Sequence, residues 1–216
     1  MKRPSWPAAA VLRIVCGALI GAHACAGAVY ADEPPDFTVI INVQNEAPVA
    51  RWLLGSAEQE TGRVFRQFGV DLQWRESRRA ASDDVQAPEV SIVLMSAAMG
   101  ARKSKTDHVA DTTLAIGSRR TGRSYVFCDR VAATARQHAL SEDMVLAHAF
   151  MHELGHMIAN VGHDAHGIMR ESLELRAAGF FGFTAAQIRA MRSALADAAA
   201  TDAPRLALRL APELAR

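Results

Sequence analysis

Hydrophobic positions along the chain follow two rhythms, and the switches between them predict most of its elements. Phe37 to Val43 is an almost unbroken β-branched run, the pattern of a strand covered on both faces. Pro48 suits the first turn of a helix, and from there Val49, Trp52, Leu53, Ala57, Val64, Phe65 and Phe68 recur at helical spacing as far as Gly69. Val70, Leu72 and Trp74 then alternate with Asp71 and Gln73, which predicts a second strand with one wetter face. Val90 to Met95 is continuously apolar and predicts a third. Gly100 to Asp111, rich in Gly, Lys and Arg, reads as a loop. Thr113 to Ile116 and Ser124 to Cys128 are short strand candidates joined by a turn-like stretch, which predicts a hairpin. Ser141 caps a long helix running to about Ala159, with Glu142 and Asp143 suited to the dipole in its first turn. Beyond Asp143 this helix is apolar almost all round, so it is expected to be buried. Thr184 with Gln187 forms a capping box for a last helix. Strand, helix, three or four strands and a buried helix make an α/β protein with helices packed on a sheet.

Composition changes this picture little. The 216 residues suffice for one domain, with room for a small C-terminal lobe. Half are hydrophobic and 22% charged, which is globular rather than disordered. A net charge of +1, with no basic face interleaved with aromatics, gives no case for a nucleic-acid partner.

The N-terminus adds an address. Lys2, Arg3 and Arg13 precede an apolar stretch, Ile14 to Ala22, followed by small residues and cleavage points after Ala28 or Ala31. That is the layout of a signal peptide over residues 1–31, and it predicts export to a periplasmic or extracellular space. The apolar stretch falls well short of the roughly 20 residues of a bilayer span, so no membrane span is expected in the mature chain. Lipid attachment at Cys25 is the alternative, although Ala22-His23-Ala24 is a poor lead-in. The first strand begins shortly after these points, so no sizeable pro-segment is expected. Cleavage after Ala31 leaves 21 basic against 23 acidic side chains, a mature charge of −2. It also removes Cys16 and Cys25. Cys128 then stands alone, expected as a buried, inert thiol on a strand rather than part of a disulfide framework.

The candidate chemistry sits on the buried helix, in His152-Glu153-Leu154-Gly155-His156. Histidines four positions apart project from one helical face and can chelate one zinc ion, with Glu153 beside the metal as general base. Burying such polar groups on an apolar helix is unfavourable without a partner, and a metal supplies one. Catalytic zinc usually takes three protein ligands and keeps a fourth position for water. Asn160 and Gly162 can each adopt the left-handed conformation that reverses a chain, which would return His163 to the metal. His166 is the rival third ligand and Asp164 an outside candidate. His148, one turn before His152, can hydrogen-bond a ligand or substrate, or be a satisfied core histidine.

His152 to His156, a glycine-bearing turn, His163, and then Gly167-Ile168-Met169 resemble the metzincin clan of zinc metallopeptidases. The resemblance implies a zincin-like fold of two parts. An α/β portion, 32–159, would hold a mixed, mostly parallel sheet and the active-site helix. A small helical portion, 160–216, would hold the third ligand, a methionine turn at Met169 and the last helix. It implies one catalytic Zn2+ held by His152, His156 and His163, Glu153 as general base, and a peptide or protein substrate pairing with the edge strand, Thr113 to Ile116. The cations Arg102, Lys103, Lys105, Arg119, Arg120 and Arg123 either border that cleft, favouring acidic substrates, or form a solvated loop. One departure stands out. The clan places glycine and then histidine where this chain has Ala159 and Gly162, so His163 lies one residue late. A gluzincin-like arrangement would draw instead on Glu171 or Glu174. A reading from another class is an exported, catalytically silent zinc-binding module, its metal closed off by His166 or Asp164.

Overall fold

The computed structural model describes residues 35–76, 89–118, 121–159, 161–171 and 182–201. The expected signal segment, Arg119, Arg120, Asn160 and Glu174 lie outside the described residues. Five strands and five helices follow in the order β1 (Phe37–Asn45), α1 (Arg51–Arg66), β2 (Val70–Glu76), β3 (Glu89–Met95), α2 (Ala97–Asp107), β4 (Ala115–Ser118), β5 (Arg123–Phe127), α3 (Cys128–Gln137), α4 (Glu142–Ala159) and α5 (Ala185–Ala200). They build a mixed, mostly parallel α/β sheet of order β2-β1-β3-β5-β4, in which β4 alone runs antiparallel.

β1 lies inside the sheet, paired in parallel with β2 (Ile41 opposite Trp74) and β3 (Val43 opposite Ile92). That position explains its unbroken apolar run: Val39, Ile41 and Val43 enter the main core, while Ile40 and Asn42 are buried on the other face. The main core joins one face of the sheet to α1, α3, α4 and α5, through residues such as Phe65, Val131, Phe150 and Met191. On the opposite face Val93, Met95 and Phe127 form a smaller cluster, with Met99 of α2 against it. Among the described residues no helix is long and apolar enough to cross a membrane.

Several expectations are corrected. The stretch expected as a loop from Gly100 is largely helix α2; Gly100 is its sole buried residue, so it carries no apolar stripe to announce itself. α3 was not expected at all, and it buries only Val131 and Ala135. β5 ends at Phe127, so Cys128 opens α3 instead of closing a strand. Burial pushes its thiol up to about 12, with Asp129 adding to the shift, so it is a poor thiolate. Pro48 lies before α1, whose N-cap is Ala50, because the Asn45 side chain pairs with both backbone groups of Val49 and holds that segment as a loop. β4 begins two residues later than expected: the Arg130 guanidinium donates to the carbonyls of Ala110 (2.6 Å) and Thr113 (2.9 Å), which keeps Thr113 outside the strand.

Candidate metal centre

α4 is 18 residues long and starts with two acids, Glu142 and Asp143, at the positive end of its dipole. Eleven of its residues are buried, among them Leu146, Phe150, Leu154 and Met157. The core therefore fixes the helix, and the few polar side chains along it are fixed with it. His152 and His156 are half-buried on one side, their ring centroids 4.7 Å apart. His163, on the segment after the helix, brings its ring to 5.3 Å from His152 and 4.9 Å from His156. One ring nitrogen from each of the three lies within 4.8 Å of the others.

The hydrogen bonds around these rings define which nitrogen is which. Nδ1 of His152 is 2.9 Å from the Ile168 carbonyl, and Nδ1 of His156 is 2.6 Å from the Val161 carbonyl. A carbonyl oxygen only accepts, so both Nδ1 atoms carry protons and donate. In neutral rings that leaves a lone pair on each Nε2, and these two atoms face each other at 3.0 Å. Two facing lone pairs suit a shared cation. Protonating a ring is the poorer answer, because burial above all, reinforced by His156 and His163, lowers the His152 pKa to about 4 against the Ile168 bond. The donor set therefore fits a metal ion such as zinc, with both Nδ1–H groups held by backbone carbonyls in the manner that orients metal-binding imidazoles.

Glu153 follows His152 but is buried, 3% exposed. Its carboxylate lies under the edge strand: a Cβ placed at Gly117 of β4 would stand 2.6 Å from Oε2. Burial pushes its pKa up to about 7, opposed by a hydrogen bond from the buried Ser124 hydroxyl of β5. Oε2 finds no hydrogen-bond partner among the described residues. A carboxyl whose pKa lies near neutrality and which keeps one oxygen uncommitted is chemically ready to exchange a proton.

The segment after α4 does more than deliver His163. Gly167–Met169 forms a 3-10 turn whose Ile168 carbonyl orients His152, and Met169 is fully buried. Met169 packs on Gly155, where an added Cβ would come 2.5 Å from its sulfur. Gly162 does not take the left-handed conformation expected of it; the left-handed glycine of this segment is Gly167, at φ 74°. His166 is exposed, precedes the 3-10 turn and stays outside the cluster. Both Asp164 oxygens are engaged elsewhere, Oδ1 by the Ala165 N–H and Oδ2 by Gln187. Glu171 is exposed and also outside the cluster. His148 is half-buried, its ring stacked on His152 at 6.5 Å, and burial with His152 lowers its pKa to about 3. Of the expected cationic border, Arg102, Lys103 and Lys105 ride on α2, across the sheet, where Lys103 pairs with Asp107 at 2.7 Å.

The sequence reading passed over Gly117, Ser124 and Gln187 as contributors to the site. A glycine inside a short strand is a local sign of close approach and was available for Gly117. The other two act through tertiary contacts that leave no trace in spacing.

No family model matches the sequence, and no curated protein sequence matches it. Among solved structures, the fold is similar to the crystal structure of a zinc-dependent peptidase from Methanocorpusculum labreanum strain Z. The two are 12% identical, the match covers 72% of this chain and 99% of that one, and the TM-score is 0.47.

Proposed function

We propose that this protein is an exported, zincin-like zinc metallopeptidase. The observation that carries the reading is the approach of the His152 and His156 Nε2 atoms to 3.0 Å, with His163 completing the three-nitrogen cluster; Glu153, next to His152 in the chain, keeps Oε2 without a hydrogen-bond partner among the described residues. His152, His156 and His163 would hold one zinc ion, leaving a position open for water. The chemistry such an ion would supply there is polarisation of a carbonyl and a lowering of the pKa of a water to about 7. Glu153 accepts the proton at a carboxylate oxygen and returns it to the leaving amine, a role suited to a carboxyl whose pKa is raised to about 7. Among the described residues β4 ends the sheet, so its outer side could align an extended peptide backbone above Glu153. The division into 32–159, with sheet and helix, and 160–216, with the third histidine and Met169, belongs to the same reading. Export over residues 1–31 is tested by the mass of the mature N-terminus, which should begin near Asp32.

The silent-module alternative draws no support from the geometry, since neither His166 nor Asp164 turns toward the three histidines. The deciding experiment is Glu153→Gln. It should retain one zinc per chain while peptide hydrolysis falls about 10²- to 10⁴-fold, the usual contribution of a general base. Undiminished hydrolysis by that variant rules the mechanism out.

A further inference from the structure

His163 sits on exposed chain between the end of α4 and the 3-10 turn, and something must hold that segment against His152 and His156. Its neighbour Asp164 does so. The Asp164 N–H donates to the Met169 carbonyl at 2.9 Å, Oδ1 accepts from the Ala165 N–H at 2.6 Å, and Oδ2 accepts from Gln187 Nε2 at 2.9 Å. Gln187 is 4% exposed and lies in the first turn of α5, where it also closes the capping box. Its Oε1 accepts the Thr184 N–H at 2.9 Å, while its own N–H donates to Thr184 Oγ1 at 3.3 Å. One side-chain amide thus does two jobs with its two ends. Either Glu or Gln satisfies a capping box. Only Gln keeps a donor for Asp164, and a hydrogen bond to an ionised carboxylate is among the stronger kinds.

We infer that Gln187 is a positioning residue for the third metal ligand: through Asp164 it fixes the segment bearing His163, so metal affinity depends on the first turn of the last helix. The inference rests on the metal-centre reading above. Gln187→Glu separates the two jobs. It keeps an acceptor for the Thr184 N–H and so the cap, but sets a second carboxylate against Asp164. Zinc affinity, measured by competition with a chromophoric chelator, should fall about 10- to 100-fold, the range for groups that orient metal ligands. The thermal midpoint of the metal-free chain should stay near the parent's. The combined Asp164→Asn/Gln187→Glu variant reverses donor and acceptor: the new amide at 164 donates to the new carboxylate at 187, and its oxygen still accepts from Ala165. It should recover most of the lost affinity. Parent-like affinity in Gln187→Glu, or no recovery in the combined variant, overturns the inference. If Gln187→Glu does not fold, Asp164→Ala leaves the capping box intact and should show the same drop, and parent-like affinity there is equally fatal. A parent chain that takes up no zinc overturns the metal-centre reading and this inference with it; equal uptake by parent and variant overturns this inference alone.

Discussion

A methyl group at position 117 has no room. It would come 2.6 Å from Oε2 of Glu153, well inside contact distance, so Gly117→Ala must displace the carboxylate or the edge strand above it. The three histidines sit elsewhere on α4 and on the segment after it, and should be untouched. Zinc content should therefore stay at the parent level while kcat drops by about 10- to 100-fold, the scale of a roughly 1 Å misplacement of a reacting group. Steady-state kinetics with metal analysis on the same sample checks this; a parent-like kcat would mean the carboxylate does not act from this position. Gly155→Ala makes the complementary intrusion from below, into the Met169 sulfur at 2.5 Å and the Phe183 ring at 3.1 Å. Overpacking of this kind costs about 1–3 kcal/mol. Since Ile168, next to Met169, orients His152, chemical denaturation should show lower stability and the chelator assay weaker zinc binding together.

Elements differ in how openly the chain declares them, and the physical reason is burial. α4 was legible because eleven of its residues are buried, and its two histidines because i,i+4 spacing is a local property. α2 and α3 bury one and two residues, so hydrophobic periodicity had almost nothing to report. The Gly117–Glu153 approach and the Asp164–Gln187 bond join segments 36 and 23 positions apart, beyond the reach of any local pattern. Gln187 was read as a cap and is one, but its other end was invisible. α1 holds a further feature of this kind. Glu58 is half-buried, and burial, reinforced by Glu76 at the end of β2, raises its pKa from 4.5 to about 7. A carboxyl raised in the folded state binds a proton that the unfolded chain releases, so its contribution to stability is present below about 4.5 and is lost as pH rises to about 7. The thermal midpoint of Glu58→Gln should match the parent near pH 4.5 and exceed it above pH 7, and a constant difference between the two across this range contradicts the assignment.

At the scale of the whole molecule, the main core is built from the sheet and helices, while the segment after α4 is held partly through the histidines, whose Nδ1 atoms bond the Ile168 and Val161 carbonyls. Zinc removal should therefore lower the thermal midpoint without abolishing cooperative unfolding. Ordinarily a ligand at about 100 times its Kd stabilises a fold by about 2.7 kcal/mol. Here the gain should fall short of what the measured affinity implies. All three histidines lie between positions 152 and 163, a single stretch of 12 residues. Closing so short a loop costs little chain entropy. On the proposed reading the unfolded polypeptide would itself be a serviceable chelator, and whatever zinc it held would be subtracted from the advantage of the native state. The same compactness would let the ion associate with the chain before the sheet exists, so metal capture and folding would not have to occur in a set order.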